Sequence, residues 1–135
     1  MILLHCKNYR AEITKLANRP KNIQPEEIKK RGQSCQNCIV ALITVQDRDS
    51  DSKIVEAASE IIKIKEEVSA EKIVLLPFAH LSNKLADSKQ GIELISKLYD
   101  EIIKKTDVIK GHFGSHKELL LDLYGHPGNA RFREF

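Results

Sequence analysis

The segment Cys38-Ile-Val-Ala-Leu-Ile-Thr-Val45 is the longest apolar, β-branched run in the chain, and it constrains the fold more than any other feature. Its apolar residues are continuous instead of alternating, so both faces must be covered, as in a central strand of a layered sheet. Ile2 to His5, a short apolar run with a polar stop, reads as a first strand. Lys72-Ile-Val-Leu-Leu-Pro77 reads as another, ending where proline removes a ladder donor. Thr106 to Phe113 and Glu118 to Tyr124 are expected as a final pair joined around Gly114. Residues 7–38 are rich in Asn, Lys, Gln, Arg and Pro, and only one short helix is expected there, opened by Pro25 and closed by Gly32.

Two amphipathic helices separate the strands. Ile54, Ala57, Ile61, Ile64 and Val68 recur at spacings of three and four behind the N-cap candidates Asp49-Ser-Asp-Ser52. Asp87 and Gln90 have capping-box spacing ahead of Ile92, Ile95, Tyr99 and Ile102. The tail, Gly125 to Phe135, is expected to be irregular. With 135 residues the chain holds one core. The order of elements predicts a single α/β domain over residues 1–135, a mixed β-sheet covered by two main helices.

Composition excludes more than it assigns. The chain has no apolar run near the roughly 20 residues that span a bilayer, and His5, Cys6 and Lys7 interrupt its start too early for a signal peptide. Its three cysteines are too few for a disulfide framework, so a reducing, cytoplasmic compartment is expected, without a membrane partner. Twenty-two Lys+Arg against nineteen Asp+Glu leave +3, which permits a polyanionic partner without forming a basic nucleic-acid footprint.

Standard catalytic motifs are silent. There is no G-x-S-x-G, no G-x-G-x-x-G, no P-loop and no H-E-x-x-H. Cys35-Gln-Asn-Cys38 has metal or redox spacing, but zinc takes four ligands and no second cysteine pair exists. A metal set would need His5 and Cys6 as well, with residues 7–38 folded back onto the first strand, and ordinary thiols are the simpler reading. No metal and no cofactor are expected. His80 lies just beyond a strand's C-terminal end, where open α/β sheets place ligands, although a packing or capping role fits the pattern equally. Ser115, His116 and Lys117 follow the bend at Gly114 and either project towards His80 or form a solvated turn.

Taken together, Ile2-Leu-Leu-His5, Ala41-Leu-Ile-Thr-Val45, Leu76-Pro-Phe-Ala-His-Leu-Ser82, Phe113-Gly with Lys117 three residues beyond, and Gly125-His-Pro127 resemble the archaeal threonyl-tRNA synthetase editing domain. The resemblance covers nearly the whole chain and implies a fold similar to that of D-aminoacyl-tRNA deacylases. It implies hydrolysis of serine wrongly attached to threonine tRNA, with the tRNA 3′ end and a synthetase catalytic domain or subunit as partners, and pairing into homodimers. Lys117 matches the family's catalytic lysine, and His80 a pocket histidine near the terminal adenosine. Val45, Pro77, Phe78, Ala79 and Phe113 match pocket walls, Gly91 a small residue against the same pocket, and Gly114 the glycine of the Phe-Gly pair. Two positions depart from the family: His116 stands where an aromatic usually precedes the lysine, and Ala130 where a glutamate is usual, leaving Glu118 or Glu134 as possible substitutes. A D-aminoacyl-tRNA deacylase and a non-catalytic tRNA-end or subunit-binding module are the rival readings.

Overall fold

The computed structural model describes residues 1–19 and 21–135. Residues 38–43 of the apolar run do lie in mid-sheet, as the last part of strand β2 (Gly32–Ile43), while Thr44 and Val45 continue beyond its end. On one side β2 pairs in antiparallel register with β1 (Ile2–Leu16), and on the other in parallel with β3 (Lys72–Pro77). Parallel β4 (Val108–Lys110) follows β3, antiparallel β5 (Ser115–Leu123) lies on the far side of β1, and β6 (Ala130–Phe132) pairs with the start of β1. The result is a mixed six-stranded sheet of order β4-β3-β2-β1-β5 with β6 beside β1. Helices α1 (Ile54–Glu67) and α2 (Ser88–Ile103) fill the crossovers.

Both helices pack on one face, where Ala57, Ile61, Ile64, Leu98 and Ile102 meet Leu3, Ile39, Ala41, Ile73 and Leu75 in one buried cluster. The opposite face carries a second cluster that draws on no helix: Leu4, Cys6, Tyr9, Ala11, Val40, Leu42, Val74 and Leu76. Val40 and Val74 are nonetheless fully buried. The sheet covers that face by curling on itself. Tyr9 donates from its hydroxyl to Gln33 (2.6 Å), and Gln33 reaches the carbonyl of Lys110 on the far edge (3.4 Å).

The corner that permits the curl is written in the change of side-chain parity. The inward residues of β1 run Leu4, Cys6 and then Tyr9, Ala11; those of β2 run Leu42, Val40, Cys38 and then Cys35. A strand that alternates strictly cannot do this, so both strands turn over at the level of Lys7 and Asn37. Asn37 takes φ of 47° there, a left-handed conformation that asparagine tolerates better than most residues. Its side chain is tied on both sides, accepting from His5 Nε2 (2.8 Å) and donating to the Ser69 carbonyl (3.1 Å).

Several sequence expectations are corrected. Residues 7–38 are mostly the two arms of a long hairpin, with no helix at Pro25 to Gly32; Pro25 and Glu26 run irregularly because their partners lie elsewhere in the fold. Glu26 N–H donates to the Phe113 carbonyl (3.1 Å) and its carboxylate accepts from Phe113 N–H (2.9 Å). The last two main strands are not a hairpin: β4 and β5 occupy opposite ends of the sheet. The tail is not wholly irregular, since β6 lies within it. Asp87 does cap α2, accepting from Gln90 N–H (2.8 Å), but the Gln90 side chain donates to the Asp49 carbonyl (2.8 Å) instead of closing the box.

Candidate active site

A cavity of about 380 Å³ opens where the C-terminal ends of β2 and β3 meet the start of β5 and the hairpin tip. Every candidate site residue lines it: Lys117, His80 and His116 together with Val45, Pro77, Phe78, Ala79, Gly91, Phe113 and Gly114. The chain gathers them from four separate segments. Strand β3 stops at Pro77, and the next residues are fastened to the end of β2 by Phe78 N–H donating to the Ile43 carbonyl (2.8 Å) and by the Thr44 hydroxyl donating to the Phe78 carbonyl. Ser82 donates to Gln46 (2.9 Å) and Ala86 N–H to the Val45 carbonyl (3.0 Å), so the loop carrying His80 is held at both ends. The His80 ring is exposed and stands edge-on to Phe78, centroids 5.1 Å apart.

The opposite wall is Phe113-Gly114. Gly114 has φ of 90°, and a β-carbon there would lie 2.8 Å from both Cα and Cβ of Pro25, so neither conformation nor space admits a side chain. Ala17 N–H donates to the Gly114 carbonyl (2.8 Å), which joins this wall to the hairpin arm. The Phe113 ring packs against α2 at Gly91, where an added β-carbon would stand 2.9 Å from Phe113 Cε2. Gly91→Ala is therefore expected to push the ring into the cavity. The cavity of the variant should narrow with little change in melting temperature, as read by a crystal structure of the variant and thermal melts.

Lys117 is half-buried on β5, and burial holds its ammonium below the ordinary lysine value, partly opposed by the negative charge of Glu26. Strand alternation directs Lys117 and Leu119 to the cavity side, in line with Leu121 and Leu123 of the inner cluster, while His116 borders the cavity as an exposed residue. Ser115 also lines the cavity, but its hydroxyl pairs with His112 Nδ1 (2.8 Å), while His112 Nε2 donates to the Glu26 carbonyl (2.8 Å).

Arg19 and Thr44 are further lining residues that sequence reasoning missed, Arg19 because it falls in a stretch with no strand or helix signal. No carboxylate lines the cavity among the described residues, and its permanent charges are the cations Lys117 and Arg19. The acid that Lys117 senses is Glu26, not Glu118 or Glu134. Glu134 pairs with Arg48 (2.9 Å) and borders a different, smaller cavity. Ala130 on β6 and the Gly125-His-Pro127 turn stand apart from this wall; His126 instead meets the buried His5, ring nitrogens 2.7 Å apart. The cysteines do not gather a metal set: Cys6 and Cys38 point into the inner cluster, His5 is engaged by Asn37 and His126, and no group of three potential ligands occurs among the described residues.

Comparison with known proteins places this architecture. A solved structure of the c-Myc DNA Unwinding Element Binding Protein superposes with a TM-score of 0.68 over 90% of this chain and 89% of that one, at 7% identity, and so shares the D-aminoacyl-tRNA deacylase-like fold. The threonine–tRNA ligase of Staphylothermus marinus is 35% identical over 108 residues, 77% of this chain and 18% of that protein. The threonine–tRNA ligase editing subunit of Saccharolobus solfataricus is 31% identical over 104 residues, covering 77% of this chain and 27% of its own length. The Pyrococcus furiosus threonine–tRNA ligase is 30% identical over 129 residues, 94% of this chain and 21% of that protein. The chain thus spans between about a sixth and just over a quarter of the relatives it matches. A family model described as the archaea-specific editing domain of threonyl-tRNA synthetase matches residues 1–135, and the chain belongs to that family.

Proposed function

We propose that this domain hydrolyses serine from threonine tRNA, acting as an aminoacyl-tRNA deacylase in cytoplasmic translation. The observation that carries the reading is a cavity whose permanent charges are cationic and whose other walls are mostly apolar side chains. Its volume of about 380 Å³ falls within the roughly 300–1,000 Å³ of small-molecule sites. An ester under attack develops negative charge on its carbonyl oxygen, and Lys117, a half-desolvated cation, stabilises that charge more strongly than an ammonium in water.

Water needs a base as well, and the cavity wall has no carboxylate to offer. An aminoacyl ester on a terminal ribose brings its own vicinal hydroxyl, which lies within reach of an attacking water. The protein then orients the ester and stabilises the oxyanion, and no side-chain nucleophile is required. His80, exposed beside Phe78 on a loop held at both ends, contacts the terminal nucleoside in this reading. The tRNA 3′ end enters the cavity, while a synthetase catalytic domain or subunit supplies charged tRNA and most of its contacts; the working form is a homodimer.

The test is release of serine from mischarged threonine tRNA against the spontaneous decay of the ester. Release above that baseline supports the reading, and decay at the baseline rate rejects it in favour of a binding module. Release of D- but not L-amino acids would reassign the activity. His80→Ala is expected to weaken turnover or binding of an aminoacyl-adenosine analogue with the melting temperature unchanged. A lowered melting temperature with normal turnover of the folded fraction would show the histidine to be structural.

A further inference from the structure

Arg10, Lys30, Lys72 and Lys110 are scattered through the sequence, yet the fold brings all four to one open groove of about 760 Å³. Strand β1 contributes Arg10, the irregular arm before β2 contributes Lys30, and Lys72 and Lys110 are the first residue of β3 and the last of β4. The curl of the sheet collects them, because it carries the start of β2 across to β4, where Gln33 reaches the Lys110 carbonyl. Glu12 is the one carboxylate that lines the groove among the described residues, so the local excess of three positive charges equals that of the entire chain.

Three of these cations are free to meet a ligand. Arg10, Lys30 and Lys72 have no carboxylate within ion-pair distance among the described residues. The fourth is held in place: the Lys110 ammonium donates to the Ser96 hydroxyl (3.2 Å), stands 6.0 Å from the Tyr99 ring centroid and has Glu26 at 3.7 Å. Tyr99 itself is half-buried and lines the same groove. The groove also adjoins the cavity, since the Glu26 carboxylate that reaches Lys110 accepts from Phe113 N–H (2.9 Å) on the cavity wall.

We propose that this groove binds the phosphodiester backbone of an RNA. Separate cations along one concave surface suit a chain of regularly spaced phosphates, and each contact is favoured further by release of the counterions condensed on the nucleic acid. The family to which the chain belongs serves tRNA charging, which makes RNA the polyanion at hand. A strand seated here runs past Glu26 to the cavity wall at Phe113. Contacts of this kind fix the position of the RNA and carry no sequence information, so the groove holds the backbone without selecting bases. Such binding needs no aminoacyl ester and is independent of the hydrolysis proposed above.

The experiment follows the fluorescence anisotropy of a labelled, uncharged threonine tRNA transcript titrated with the full chain at several salt concentrations. The parent's log affinity is expected to fall linearly with log salt. A double variant, Arg10→Gln with Lys30→Gln, should bind severalfold more weakly, with a slope shallower by roughly one unit for each cation removed. Both side chains are exposed, so the fold should survive the change, which circular dichroism checks. A control pair on α1, Lys63→Gln with Lys65→Gln, lies outside the groove and should bind as the parent does. A transcript lacking its 3′ end should show the same loss with the groove variant, which separates this site from the cavity. No binding by the parent, parent-like binding by the folded groove variant, equal losses in both double variants, a loss confined to transcripts with an intact 3′ end, or tighter binding of polyglutamate than of tRNA would overturn the proposal.

Discussion

Lys117→Met is expected to lower serine release by roughly 10²–10³-fold, the effect typical of removing one preorganised stabiliser of a developing oxyanion, while the protein stays at least as stable as before. The second half of this expectation follows from the sign of the lysine's perturbation. Burial lowers the pKa of Lys117 from 10.5, the value assigned to it in the unfolded chain. The folded state therefore disfavours the protonated form, so the buried charge opposes folding wherever the lysine is protonated. That opposition fades as pH rises through the folded pKa towards 10.5. Methionine keeps the apolar stem and removes the charge, so the variant's melting temperature at neutral pH should match or exceed the parent's, and the difference should narrow in alkali. A structural lysine would behave oppositely, with stability and activity lost together. Hydrolysis by the parent should also decline as pH rises through the lowered lysine value, after subtraction of the base-catalysed decay of the free ester. Normal rates in a folded Lys117→Met variant would remove this residue from the mechanism.

The site was more legible in the sequence than the scaffold that holds it, and the difference has a physical basis. Leu76-Pro-Phe-Ala-His-Leu-Ser82 and Phe113-Gly114 are contiguous strings whose position at strand ends follows from the strands themselves, and the cavity collects both. The β1–β2 arm was missed although Tyr9, Ala11 and Ile13 alternate with Arg10, Glu12 and Thr14, a period-2 signal. Lysine, asparagine and glutamine around it suggested a loop, because these strands run beyond the cover of the helices and only their inner side chains are buried. The parity change at Lys7 and Asn37 carries no local signature; it exists because the sheet must close over Val40 and Val74. Strand partners are likewise settled at a distance. Beyond Gly114 the chain starts β5, which joins β1 and not its sequence neighbour β4, and nothing in residues 106–124 distinguishes that outcome from a hairpin. Glu26 lay beyond local reading for the same reason: its carboxylate reaches the cavity lysine's surroundings only because the hairpin arm folds over Phe113.

Serine release from threonine tRNA should exceed threonine release by about 10–200-fold, and the basis is the stiffness of one wall. Threonine carries one methyl more than serine, so a site shaped for serine must reject the larger group by overlap or by loss of the space held by the attacking water. Overlap discriminates only when the wall cannot retreat. Phe113 has little room to retreat: its ring already abuts α2 at Gly91, its N–H is held by Glu26, and the next residue is locked against Pro25. Forcing a methyl into such a rigid wall costs roughly 1–3 kcal/mol, enough for the stated ratio. Val45 faces the same cavity from the end of β2, where the Ala86 N–H bond to its carbonyl restrains it. Val45→Ala, which removes two methyl groups, should therefore raise threonine release more than serine release, narrowing the ratio by opening room for threonine's methyl. Rates are compared on one threonine tRNA charged in turn with each amino acid, the free ester decay being subtracted. Equal release from both esters by the parent protein would exclude a fidelity role, and a ratio unchanged by Val45→Ala would place the discriminating contact on the Phe113 side of the cavity.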